Sequence, residues 1–124
     1  MLKIAGFTVL FSLYAVYSFI VYTKGTEKNF AYSKTEWQKI NHGKDLFQQY
    51  NCTACHQLYG LGGYLGPELT TAYSDKLRGE FYLKTFLKNG GSRMPNFHFK
   101  DQEIGDIIDF LKYVDSTAVS YKQR

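Results

Sequence analysis

Polarity along the chain falls into one unbroken apolar run followed by three shorter, periodic stretches. Residues 4–22 (IAGFTVLFSLYAVYSFIVY) carry no charge. As a helix, this run rises about 28 Å, close to the hydrocarbon thickness of a bilayer. The pattern predicts a transmembrane anchor over residues 1–24. A cleaved signal peptide is the alternative. Its apolar region would be about 7–15 residues long and would lead into a small-x-small cleavage site. Tyr17, Phe19, Tyr22 and Lys24 crowd that place, so a retained anchor is expected. Residues 25–34 are polar with scattered aromatics and read as a connector to a domain spanning 35–124.

Within that domain the apolar positions recur at helical spacing three times. Residues 35–50 place Trp37, Ile40, Leu46, Phe47 and Tyr50 on a face, with Thr35 as cap. Gly43 interrupts the helix and marks either its true start or a close crossing with another helix. Residues 57–72 are rich in glycine and predict a loop without regular structure. Residues 79–89 place Phe81, Leu83, Phe86 and Leu87 on an apolar face and end in Asn89-Gly90-Gly91. An extended segment follows. Residues 101–114 predict a last helix, with Asp101 as cap and Ile104, Ile107, Ile108, Leu111 and Val114 inward. The tail from Asp115 is polar and reads as a frayed end. The predicted fold class is all-α, with one transmembrane helix and one small helical domain.

The chemistry lies between the first two domain helices. Residues 52–56 read Cys-Thr-Ala-Cys-His, and Cys52 and Cys55 are the chain's two cysteines. Thiols three positions apart can each add across one vinyl group of a haem, which holds the following His56 under the ring. C-x-x-C-H is the attachment signal for c-type haem. A structural zinc site would want a second pair of ligands at similar spacing, and a thioredoxin-like pair would sit in a βαβ pattern. The sequence has neither, so one covalent haem c is expected. About 90 residues make a marginal core alone, and a haem would supply an apolar plate for the helices to pack around. The form lacking haem is therefore expected to fold poorly.

Haem iron has a second axial position. Met94 is the one methionine besides the initiator, and it precedes Pro95 just before the last helix. His/Met ligation raises the reduction potential, and Pro95 stiffens the loop that presents the sulfur. His98, four residues on, is the rival and would give bis-His ligation. His42 lies before the haem motif and reads as a surface or interface residue. The carbonyl of Pro67 is placed to accept the other N–H of His56, and Arg93 to pair with a haem propionate. Iron with six ligands leaves no position for a substrate, so the domain is expected to carry electrons and not to catalyse.

The formal net charge is +4. Without Lys3 and Lys24, 13 basic and 11 acidic residues remain, and no basic run or stripe stands out. Nucleic-acid binding is not expected. Basic residues lie on both sides of the apolar run, so the positive-inside rule does not orient it. Haem is attached to thiols on the outer side of the bacterial cytoplasmic membrane, which places the domain in the periplasm.

The haem motif followed by Gly60, Gly62, Tyr64 and Pro67-Glu68-Leu69, and then Met94-Pro95-Asn96-Phe97, resembles the cytochrome c subunit of bacterial nitric oxide reductases, in the haem–copper oxidase superfamily. The resemblance covers nearly the whole chain. It implies a class I monohaem cytochrome c domain behind an uncleaved anchor. The implied partner is a large multi-span subunit holding haem b and a non-haem iron, where two NO become nitrous oxide and water. Electrons would come from a soluble periplasmic donor. In that family calcium lies near the haem propionates, and by position the carbonyl of Gly62 together with Tyr64 would help to hold it. The chain departs from the family in being shorter between Leu69 and Met94 and in carrying an extra glycine, Gly63. An oxygen-reducing haem–copper oxidase and a free-standing tethered carrier remain as alternatives.

Overall fold

The structure, a computed structural model, describes residues 2–25 and 31–118. It divides into two compact units, Met1–Ala31 and Tyr32–Arg124. Residues 26–30 of the expected connector and the tail beyond residue 118 lie outside the described residues.

In the first unit, helix α1 (Leu2–Ile20) continues into a wider turn over Val21–Gly25. The stretch Lys3–Lys24 is long and apolar enough to cross a membrane. Three of its hydroxyl side chains bond back along the helix itself. The hydroxyls of Thr8, Ser12 and Thr23 donate to the carbonyls of Ala5, Thr8 and Phe19 at 2.9, 2.8 and 2.7 Å. In hydrocarbon an unpaired hydroxyl would have no solvent to turn to.

The second unit is built on α2 (Lys34–Gln49), α3 (Gly79–Asn89) and α4 (Asp101–Thr117). Helix α2 starts on a reciprocal cap. The Ser33 hydroxyl accepts from the Glu36 N–H at 3.3 Å, and the Glu36 carboxylate accepts from the Ser33 N–H at 2.7 Å. The bonds to Ser33 hold the Glu36 carboxyl below its usual range. The cap is therefore Ser33, and Thr35, expected in that role, lies inside the first turn. At α4 the expected cap Asp101 is likewise the first helical residue. The Glu103 carboxylate accepts from the Lys100 N–H at 2.7 Å, while Asp101 pairs with Lys88 at 3.0 Å.

Helices α2 and α4 cross at Gly43. A Cβ on Gly43 would overlap the backbone carbonyl of Asp106, so only glycine allows this approach. The close crossing is the reason for a helix-weakening residue in mid-helix. Around it Ile40, Leu46 and Phe47 meet Ile104, Ile107, Ile108, Leu111 and Val114, all buried. His42, read as a surface or interface residue, reaches across the same crossing. Its Nδ1 lies 2.7 Å from the carboxylate of buried Asp106.

Helix α3 buries Leu83 and Leu87. Phe81, expected on the same face, is 84% exposed. It lies two residues before Leu83, about 200° around a helix of 3.6 residues per turn. Helix α4 runs on to Thr117, past the predicted end at Val114. Asp115 is 2% exposed, and its carboxylate accepts from the Ser74 N–H at 2.8 Å. That tertiary contact holds the last turn. Residues 57–62, expected to be irregular, form a short hairpin. Strands β1 (Gln57–Leu58) and β2 (Leu61–Gly62) pair antiparallel, with Gln57 opposite Gly62.

Candidate functional site

A short 3-10 turn, Cys52–Ala54, follows α2 and winds the Cys-Thr-Ala-Cys-His segment tightly. The N–H groups of Cys55 and His56 both donate to the Cys52 carbonyl, at 3.2 and 2.9 Å. This places both thiols and the His56 ring on the wall of one cavity of about 400 Å³. The same cavity is lined by Pro67, Arg93 and Met94. Six residues expected from the sequence to serve the haem therefore meet around a single space. Most of the remaining wall is apolar and comes from the helices, with Phe47, Leu83, Leu87, Ile107 and Leu111 among its residues.

His56 is held on both sides. Its Nδ1–H donates to the Pro67 carbonyl at 2.9 Å, which leaves Nε2 as the nitrogen available to a metal. Gly66 lies flat against the ring, and a Cβ there would collide with the imidazole. Two backbone bonds secure the segment that carries these contacts. The Gly66 N–H donates to Cys55 O at 2.8 Å, and the Leu69 N–H to Gln57 O at 2.9 Å.

Met94 is half-buried and sits in a loop closed by the Gly91 N–H donating to its carbonyl at 2.8 Å. Tyr50 packs edge to face on Phe97 and Phe99, with ring centres 5.3 and 4.7 Å apart. His98 is exposed and does not line the cavity. Arg93 is exposed at the cavity's edge. Gly62 and Tyr64 stand outside the cavity. Gly62 is paired with Gln57 in the hairpin, and Tyr64 is 88% exposed.

Both cysteines are free thiols. Burial in the apolar wall pushes the Cys52 thiol up to about 11, so it stays protonated at neutral pH. Two unpaired thiols, an imidazole turned with Nε2 free, a thioether and otherwise mainly apolar walls are a donor set that fits a covalently held haem. Sequence reasoning did not single out Gly66 as a contact of His56, nor the packing of Tyr50 against Phe97 on the cavity wall. Gly66 carried a signal, since it precedes the proline whose carbonyl faces the histidine. Tyr50 and Phe97 were each legible, one on the helix face and the other in the Met-Pro-x-Phe stretch, but their contact is long-range and left no trace.

Comparison with known proteins agrees with this geometry. The family described as cytochrome c oxidase, cbb3-type, subunit III matches residues 38–111. The C subunit of nitric oxide reductase from Stutzerimonas stutzeri is 30% identical over 115 residues, covering 80% of this chain and 78% of that protein. The corresponding C subunits from Halomonas halodenitrificans and Cereibacter sphaeroides are each 27% identical. Those matches cover 63% and 59% of this chain and 60% and 58% of the relatives' own lengths. A cavity built around Cys-x-x-C-His, a helix fit to span a bilayer and these similarities together mean that the chain belongs to the family of nitric oxide reductase C subunits, as a c-type cytochrome of electron transport.

Proposed function

We propose that this subunit passes electrons, one at a time, from a soluble periplasmic donor to a large haem b subunit whose non-haem iron centre reduces two NO to nitrous oxide and water. The observation that carries the reading is the convergence of Cys52, Cys55, His56 and Met94 on one largely apolar cavity. Cys52 and Cys55 would hold the haem covalently, His56 through Nε2 and Met94 through its sulfur would bind its iron, and Arg93 at the edge would neutralise a propionate. When bound, the haem supplies a one-electron iron(III)/iron(II) couple. The Pro67 carbonyl fixes the His56 ring and strengthens it as a ligand. The mainly apolar walls would limit the access of water to the bound group. Residues 1–24 remain as a membrane anchor, residues 25–34 connect, and residues 35–124 form the haem domain on the periplasmic side. The Gly62 carbonyl and Tyr64 are proposed calcium ligands completed by the partner. Unchanged bound calcium and activity in Tyr64→Phe would remove them from that role.

The family match to a cbb3-type oxidase subunit supports a second reading, in which the partner reduces oxygen. One preparation separates the two. The tagged chain is purified in detergent from its native membrane, its haems are identified, and consumption of NO or O₂ from a reduced donor is recorded. Haem b with NO consumption is the expected result. Haem b with O₂ consumption alone moves the chain to an oxidase. Haem c alone with neither activity leaves a tethered carrier and overturns the proposal.

A further inference from the structure

The carbonyl that faces His56 belongs to the Pro67–Glu68 peptide, so its direction depends on how Glu68 is held. Glu68 is held at both ends. Its carboxylate turns back on Thr70, accepting the Thr70 N–H at 3.0 Å and also the Thr70 hydroxyl. Its carbonyl accepts from Arg78 Nη1 at 3.4 Å. Arg78 is itself clamped, with Nε and Nη2 donating to Asp75 Oδ2 at 2.9 and 2.7 Å. Thr70 is 0% exposed, and its hydroxyl oxygen accepts the N–H of Tyr59. The Tyr59 hydroxyl in turn meets Thr117 and the Val114 carbonyl at the end of α4. A continuous run of hydrogen bonds therefore ties α4, through Tyr59, Thr70 and Glu68, to the peptide whose carbonyl orients the imidazole.

We propose that Glu68, clamped on Thr70, is a positioning residue for His56 and thereby sets the reduction potential of the bound iron. The inference rests on His56 being the axial ligand. A firm Nδ1–H···O=C bond makes the imidazole more anionic, which favours ferric iron. Loosening the peptide weakens that bond and raises the potential. The carboxylate charge by itself would act in the same direction, so the test has to separate position from charge.

The test uses the full haem-loaded chain in detergent, with Glu68→Ala, Glu68→Gln and Thr70→Val compared by redox titration and by proton NMR of the His56 Nδ1–H in the reduced form. Thr70→Val removes the hydroxyl half of the clamp, keeps the backbone N–H half and leaves the charge, whereas Glu68→Gln removes the charge and keeps an acceptor oxygen for Thr70. The expected result is that Glu68→Ala and Thr70→Val both favour the reduced form by roughly tenfold at fixed poise, about 59 mV for one electron. Glu68→Gln shifts less, and the Nδ1–H resonance moves with the potential. If the two Glu68 variants shift alike and Thr70→Val titrates as wild type, charge alone is responsible and the proposal fails. If melting temperatures fall while potential and Nδ1–H resonance stay put, Glu68 is only structural and the proposal also fails. His56→Gly tests the underlying ligand separately. Loss of the low-spin spectrum, regained with added imidazole, supports it, and an unchanged spectrum overturns the ligand assignment itself.

Discussion

Gly43→Ala should loosen the domain more than any other single-methyl insertion on α2. The new Cβ would overlap the Asp106 carbonyl, and it would also press on the Ile107 nitrogen. These are backbone atoms, so no rotamer change relieves the contact, and the helices must separate by roughly 1 Å. A gap of that size forfeits about a quarter to a half of the dispersion energy of the atoms concerned. The atoms concerned are among the best buried in the domain, those of Ile40, Leu46 and Phe47 against Ile104, Ile107 and Leu111. Overpacking typically costs about 1–3 kcal/mol, and an unyielding contact belongs at the upper end. Alanine recovers about 1 kcal/mol of helix propensity, leaving a net loss of about 2 kcal/mol. For a domain of this size that is about 8–16 °C in melting temperature. Gly105, on α4, is the internal control. Nothing lies within 4 Å of a Cβ built there, so Gly105→Ala should gain up to about 1 kcal/mol. Thermal melts of the haem-loaded chain in detergent, followed by circular dichroism, read both. If Gly43→Ala melts at or above wild type, or if the two variants behave alike, the account of the crossing is wrong.

Three further outcomes follow from the same geometry. Gly66→Ala pushes on the His56 ring and should weaken axial ligation by about 10–100-fold, seen as a high-spin fraction in the optical spectrum; a wild-type low-spin spectrum contradicts it. Asp109 is held above its ordinary range, first by burial and in part by Asp106 and Glu36, against the opposing charges of Lys39 and Lys112. Its folded form thus binds the proton more tightly than the unfolded chain does. Its charge costs stability increasingly as pH rises through the folded value, and nothing well below about pH 4. Asp109→Asn should therefore melt higher at pH 7 and equal to wild type near pH 3, and a lower melt at pH 7 would contradict this. Preventing haem attachment, with Cys52→Ser and Cys55→Ser together, leaves a space of about 400 Å³. At about 24 cal/mol per Å³ its upper cost is about 10 kcal/mol, as large as the whole stability of a small domain. No cooperative melt should remain, and a sharp transition would show that the helices do not need the haem.

The helices and the residues around the cavity were readable because each leaves a periodic or short-range trace. Ile104, Ile107, Ile108, Leu111 and Val114 repeat at helical spacing and all lie inward. Cys52, Cys55 and His56 are nearly contiguous, and Met94 is singled out by scarcity. What was hidden depends on long-range contacts. The hairpin turns on Tyr59 in a left-handed conformation, with φ 54°, which a tyrosine does not advertise. The tyrosine is held there by Thr70 and by α4, 55 and 58 residues away along the chain at Val114 and Thr117. The last turn of α4 exists because Asp115 meets the Ser74 backbone. Phe81 was placed inward on hydrophobicity alone, although its angle around the helix puts it outside. The caps were each misplaced by one or two residues, because Ser33 with Glu36 and Lys100 with Glu103 bond through a local geometry that competing cap residues nearby, Thr35 and Asp101, obscure.

The central claim is that iron in this domain is saturated by His56 and Met94, and so carries electrons without binding substrate. Near-infrared magnetic circular dichroism of the oxidised, haem-loaded chain distinguishes a thioether from a second imidazole on iron. The account predicts a histidine–methionine signature in the wild type and in His98→Ala, and its loss in Met94→Ala. A bis-histidine signature that disappears in His98→Ala, or high-spin five-coordinate iron in the wild type, would contradict it.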